Sequence, residues 1–208
     1  MPLSAPADRE PLHTRTIQCR GYLRTDGLWD IEGHIVDTKD YSFPNEWRGT
    51  IHAGEPLHEM WVRLTLDDDF VVHGAEAVTD NSPFRICGQA APNFAVLKGL
   101  KIGKGWNRKV KELLGGPLGC THIVDLLGPV ATVAYQTINT GKFRRDGRSP
   151  SARPPGVGKP QRPPRMLNGC YAWAEEREVV QRWAPAFYTG PQAAPPAAPT
   201  EAPEAVRE

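Results

Sequence analysis

Two stretches of strict alternation between apolar and polar side chains constrain the fold more than any other feature of the sequence. The first runs from Trp29 to Val36 and the second from Glu59 to Leu66. Successive side chains of a strand point to opposite faces, so each stretch predicts a strand with one core-facing side and one more polar side. The segment Thr14 to Arg24 meets the first stretch across Thr25–Asp26–Gly27, and an Asp-Gly step between strands predicts a hairpin.

The remaining signals predict one more strand and then helices. A turn at Asp67 to Asp69 leads into a fourth strand over 70–79, and the polar stretch Tyr41 to Pro56 is expected to be a loop. After Pro83 the apolar period becomes about 3.6 residues, which favours helices. The three helices are expected at 93–100, 106–114 and 120–138. Strands followed by helices predict an α+β fold: a four-stranded antiparallel meander with helices packed on one face.

Composition divides the chain into four parts. Residues 12–139 are expected to form a single α+β domain. Residues 141–165 hold eight Lys or Arg and one Asp among many prolines, which is typical of a basic linker. That segment is either a solvated linker or a surface for an anionic partner. Residues 166–188 are expected to dock on the domain, and the Pro/Ala-rich residues 189–208 predict a disordered tail.

The overall composition indicates the compartment and excludes some partners. No apolar run approaches the ~20 residues that span a bilayer, and the first residues lack the pattern of a secretory signal. We therefore expect a cytoplasmic protein without a membrane partner, whose four cysteines are thiols or metal ligands. A formal net charge of +1 gives no reason to expect nucleic acid.

Four side chains are candidate metal ligands. Cys120 opens the last predicted helix, where the helix dipole favours a thiolate. His58 and Asp80 lie at the ends of neighbouring strands, and Cys87 follows at the start of the helical part. Alternatively, Cys87 and Cys120 are small core residues, and His58 and Asp80 are solvated strand ends.

Further candidates could act on a substrate. His122, two residues after Cys120, would be a further ligand or proton carrier. The hairpin is either a charged, solvated strand face or the wall of a pocket. The pocket interpretation gives acid/base roles to His34 and Glu32, and substrate contacts to Arg20, Arg24 and Trp29.

Two resemblances bear on these candidates. Residues 56–138, from HEMWVRLTLDD through AEAVTD to GCTHIVDLL, resemble the iron–sulfur cluster scaffold family. This resemblance implies that family's fold, with Cys120 at its last ligand cysteine and His58 at the end of its early ligand pair. The blocks CRGYLRTDGLWDIEGHIVDTK, GEPLHEMWVRLTLD and NGCYAW, among others in residues 11–187, resemble an uncharacterised bacterial domain-of-unknown-function family.

These observations support two main hypotheses. The first is a small metal-dependent enzyme, hydrolytic or lyase-like, that binds zinc or non-haem iron and acts on a small organic molecule, an aromatic one included. The second is a non-catalytic metal or iron–sulfur carrier. A third, cofactor-free reading uses Cys120 as nucleophile, but residues two apart on a helix are not expected to face each other. A homodimer stays an open option.

Overall fold

The computed structural model describes residues 3–147, 163–164 and 166–191. The chain divides into two compact units, residues 1–148 and 149–208. Most of the predicted linker and tail lie outside the described residues. The expected docking of residues 166–188 stays a prediction.

The first unit is built on a four-stranded antiparallel sheet. Its strands are β1 (His13–Leu23), β2 (Trp29–Lys39), β5 (Pro56–Leu66) and β6 (Val72–Asn81), in the spatial order β1-β2-β5-β6. The Asp26–Gly27 turn joins β1 to β2 as predicted, with Gly27 at φ +85°, which favours glycine. The predicted loop at 41–56 holds a small second hairpin, β3 (Phe43–Asn45) and β4 (Gly49–Ile51), which sequence reasoning missed.

Helical segments follow the sheet. They are a 3₁₀ segment (Cys87–Leu97), helix α1 (Trp106–Leu114), a 3₁₀ turn (Gly116–Leu118) and helix α2 (Thr121–Arg145). Helix α1 agrees with its predicted bounds. Helix α2 continues through Pro129 and beyond the expected end at Ile138, so its last turns occupy the first residues of the predicted linker. The predicted α+β class, with its antiparallel meander and helices, is confirmed.

Helix α2 packs on one face of the sheet, against β1, β2 and β5. Glycines allow this close approach. An added Cβ at Gly33 would lie 2.7 Å from Val130 Cγ2, and one at Gly21 would lie 2.0 Å from Thr137 Oγ1. The core between sheet and helices includes Ile31, Ile35, Met60, Val62, Leu126 and Val130. The opposite face of the sheet carries the polar set of the alternation and is here called the outer face.

The second unit contains short helical segments in its described part. These are a 3₁₀ turn (Tyr171–Trp173), helix α3 (Glu178–Trp183) and a 3₁₀ turn (Pro185–Phe187). Among the described residues, no helix is both long enough and apolar enough to cross a membrane.

Candidate metal centre

A buried carboxylate lies at the end of β2, beneath the start of α2. Asp37 follows Ile31, Gly33 and Ile35 in the core-facing set of β2, and its side chain is 1% exposed. A buried carboxylate is stable only with hydrogen-bonding or charged partners. Asp37 finds such partners on three other elements.

Arg15 of β1 lies opposite Asp37 in the strand register and pairs with both carboxylate oxygens. Its Nε donates to Oδ1 at 2.7 Å and its Nη2 donates to Oδ2 at 2.8 Å. Its third nitrogen, Nη1, donates to Asp125 of α2 at 3.1 Å. His13, two residues earlier on β1, places Nε2 3.4 Å from Asp37 Oδ1. Two side chains of β1, Arg15 and His13, thus lie on one side of the carboxylate.

Two histidines converge on the Oδ2 atom of Asp37. His58 lies opposite Asp37 on β5, and its Nδ1 is 3.1 Å from Oδ2. His122, in the first turn of α2, has its Nε2 3.6 Å from the same oxygen. The two imidazole rings stack with centroids 3.8 Å apart and planes 28° from parallel. One ligand atom from each of Asp37, His58 and His122 lies within 4.8 Å of the other two.

Burial controls the protonation of Asp37, His58 and His122. Burial, reinforced by the neighbouring His122, lowers the pKa of His58 to about 4. Burial also lowers the pKa of His122. For Asp37, burial would raise the pKa, but the hydrogen bonds and charge of Arg15 outweigh it and hold the pKa below its usual value. At neutral pH Asp37 is therefore a carboxylate, and His58 and His122 are uncharged imidazoles.

Cys120 contacts the far side of His122. It is the N-cap residue of α2 and has an extended backbone, with φ −93° and ψ 124°. Its Sγ lies 3.8 Å from Nδ1 of His122, whereas Nε2 of that ring faces Asp37. The expectation that these two side chains do not face each other is wrong, because helical spacing does not apply to a residue outside the helix.

Among the described residues, Asp37, His58 and His122 are the only group of three or more ligand-type side chains this close together. Of the predicted ligands, the structure brings His58 into the group and Cys120 beside it. Asp80 instead accepts a hydrogen bond from Trp61 Nε1 at 2.9 Å, on the outer face. Cys87 begins the 3₁₀ segment and is not in the group.

The predicted acid/base pair and two arginines of the hairpin also lie away from this group. His34 stacks on Trp61 at 3.6 Å between centroids, and Glu32 accepts from Arg63 at 2.8 Å, both on the outer face. Arg20 lies opposite Glu32 in the register. Arg24 pairs with Asp26 in the turn at 2.8 Å.

The pocket interpretation of the hairpin expected Trp29 to contact a substrate at a pocket wall. Trp29 does not line such a wall. Its side chain is 1% exposed, and its Nε1 donates to Asp68 at 2.9 Å. Trp29 belongs to the core-facing set of β2, and the end of α2 covers its ring. The position that an added Cβ would take on Gly141 lies 2.6 Å from that ring.

Sequence reasoning missed Asp37, Arg15 and His13. The sequence could have indicated Asp37, because it is the next residue of β2 whose side chain faces the core. A charged side chain on that face needs a hydrogen-bonding or charged partner. Arg15 and His58 are its cross-strand neighbours, so the register of the meander would have completed the group.

Comparison with protein families matches residues 13–136 to the family described as protein of unknown function (DUF2889). The chain belongs to this family. The DUF2889 segment ends inside α2. It contains the whole cluster around Asp37, which consists of His13, Arg15, Asp37, His58, His122 and Asp125. The predicted resemblance to an uncharacterised domain family is thereby confirmed, and similarity to iron–sulfur scaffolds is not shown.

No curated protein and no solved structure shows significant similarity to the chain. Evidence for function therefore comes from the cluster itself.

Proposed function

We propose that this protein is a metal-dependent enzyme in which Asp37, His58 and His122 hold zinc or iron(II). The reaction we propose is hydrolysis or a lyase step on a small organic molecule. The observation that carries the proposal is the convergence of two imidazole nitrogens on one oxygen of a buried carboxylate.

The spacing of the donor atoms supports a small divalent ion. Ligand atoms 2.0–2.1 Å from a tetrahedral zinc are about 3.3 Å from one another. The two distances from Asp37 Oδ2, 3.1 Å to His58 and 3.6 Å to His122, lie on either side of that value. Sites with three protein ligands leave a position for substrate, which is typical of catalytic rather than structural zinc.

The donor chemistry also supports this proposal. One carboxylate with two histidines is the ligand set of non-haem iron(II) sites and is common for catalytic zinc. Histidine binds metals as the uncharged imidazole, and the lowered pKa values of His58 and His122 keep both rings in that form at neutral pH. An ion held there would act as a Lewis acid that polarises a substrate oxygen.

Neighbouring residues of the chain would orient the ligands. Arg15 fixes the plane of the Asp37 carboxylate through two hydrogen bonds. Cys120 contacts Nδ1 of His122 and leaves Nε2 toward Asp37. Such outer contacts fix the tautomer and the ring orientation of metal-binding histidines.

Metal analysis of the purified protein tests this proposal. We expect about one zinc or iron per chain after dialysis, and loss of that metal in a His58→Ala, His122→Ala double variant that keeps its circular dichroism. Activity against a panel of esters, amides and hydroxy acids should disappear with a chelator and return with the metal. A wild-type protein that binds neither zinc nor iron(II) in titration would contradict the proposal.

A second candidate is a metal-free thiol enzyme. The contact between Cys120 Sγ and His122 Nδ1, with Asp37 on the opposite ring nitrogen, arranges nucleophile, base and orienting carboxylate in order. In that case iodoacetamide would abolish activity and a chelator would not. The iron–sulfur carrier hypothesis gains no support, because the one ligand group among the described residues contains no cysteine.

A further inference from the structure

We infer that the substrate of this site carries a carboxylate and that Arg15 binds it. The inference rests on the proposed metal site and names the class of substrate. It follows from the hydrogen bonds of Arg15, from the exposure of Asp125 and from the charge of the cluster.

Arg15 is bound through two of its nitrogens to a buried carboxylate and through the third to an exposed one. Nε and Nη2 are both engaged by Asp37, a side chain that is 1% exposed. Nη1 donates instead to Asp125, whose side chain is 54% exposed. An arginine fixed in this way is preorganised for a planar carboxylate, because its donors lie in one plane and little rotamer freedom remains to be lost.

Asp125 occupies the position in which a substrate carboxylate would bind. A carboxylate already accepts from Nη1 at 3.1 Å, so the group fits this space. Exposed ion pairs of this kind contribute only about 0–1 kcal/mol. A ligand carboxylate would therefore displace Asp125 at little cost and keep the contact with Arg15.

The charge of the cluster favours an anion once a metal is bound. Arg15 contacts both carboxylates, Asp37 and Asp125, and its single positive charge offsets only one of them. A divalent ion would therefore leave the centre with a net positive charge. The amino end of α2 adds to the positive potential, since Cys120 makes no side-chain capping bond there.

Calorimetric titration of zinc-loaded protein with benzoate tests the inference, with benzamide as the uncharged probe of the same shape. We expect benzoate to bind one per chain and benzamide to bind at least about tenfold more weakly. Arg15→Gln should weaken benzoate binding by about tenfold. Arg63→Gln is the matched control, because Arg63 also bridges two carboxylates, Glu32 and Glu76, but on the outer face.

A second variant, at the exposed Asp125, is expected to strengthen benzoate binding instead of weakening it. Asp125→Asn should strengthen benzoate binding about threefold or more, since the competing carboxylate is gone. Equal binding of benzoate and benzamide, or no response to Asp125→Asn in a protein that still binds zinc, overturns the inference and leaves the metal site standing. Failure to bind zinc removes both.

Discussion

The guanidinium of Arg15 and the carboxylate of Asp37 form a bidentate ion pair across neighbouring strands, with N–O distances of 2.7 and 2.8 Å. This pair joins the edge strand β1 to a carboxylate that also contacts β5 and α2. The stability of the first unit and the geometry of its candidate metal centre therefore depend on the same side chain.

Asp37→Asn should lower the free energy of unfolding of the metal-free protein by about 2 kcal/mol, because the ion pair between Arg15 and the buried Asp37 carboxylate is lost. Asp125→Asn should lower it by less than about 0.5 kcal/mol, since that carboxylate is exposed. Urea unfolding in the presence of a chelator measures both values. Equal losses for the two variants would show that the buried Arg15–Asp37 pair stabilises the protein no more than the exposed Arg15–Asp125 pair.

Removing either histidine should remove the metal site. We expect His58→Ala and His122→Ala each to weaken zinc binding by more than about 100-fold, because a direct ligand costs more than an outer-shell contact. Competition with a chromophoric chelator measures the affinity. His73→Ala is the control, since His73 pairs with Asp67 at 2.9 Å but lies outside the group. A comparable loss in His73→Ala would mean that the effect comes from general destabilisation.

Cys120→Ala should keep one zinc per chain with an affinity lower by about tenfold, the effect expected of an outer contact to a ligand histidine. The reason is that Cys120 contacts Nδ1 of His122, the ring nitrogen directed away from Asp37. Cobalt-loaded protein should accordingly lack a thiolate-to-cobalt charge-transfer band. The appearance of that band would make Cys120 a direct ligand, as the sequence suggested.

The stability of the metal-free protein should fall as the pH decreases from about 6.5 to 4. His58 has its pKa lowered to about 4 in the folded state, so in this interval the unfolded chain binds a proton that the folded chain does not. His122 acts in the same direction. Asp37 facing both rings favours their charged forms, while Arg15 opposes them.

The loss for His58 alone is on the order of 3 kcal/mol across this interval. Stability is fully present above pH 6.5 and lost progressively as the pH approaches the folded pKa. Urea midpoints at half-unit steps of pH measure it, and His58→Gln should flatten the profile. An unchanged slope in that variant would assign the pH dependence to other groups.

Gly33→Ala should destabilise the first unit by about 1–3 kcal/mol, because the added methyl group would meet Val130 of α2. The same substitution should weaken zinc binding, since it pushes the helix that carries His122 away from the strand that carries Asp37. Gly128→Ala, in the same helix but with open space around it, should be neutral or slightly stabilising. Thermal unfolding and zinc affinity should change together for Gly33→Ala only.

Much of the fold could be predicted because it follows from local periodicity. The alternation of β2 and β5 fixed the strands and their faces, and the Asp26–Gly27 step fixed their connection. The end of α2 was missed because the basic residues after Gly141 were interpreted by composition, although such residues are favourable at a helix carboxyl end. The hairpin β3–β4 was missed because strands of three residues leave little pattern to read.

Less of the candidate site could be predicted, because it depends on register across strands. His58, Cys120 and His122 were identified by their residue types at element ends. Asp37 lies at the end of a strand as well, but the alternating stretch was followed only to Val36, one residue short of it. Trp29 was assigned to a pocket wall because it sits among charged residues in sequence, whereas the alternation places it on the buried side.

Asp37 receives side chains from β1, β5 and α2 in addition to its own strand. Any small molecule or ion that settles among them joins four separate pieces of backbone at once. Its arrival should therefore be visible as a rise in melting temperature. Compound libraries can therefore be screened for binding at this site by thermal shift, without an activity assay.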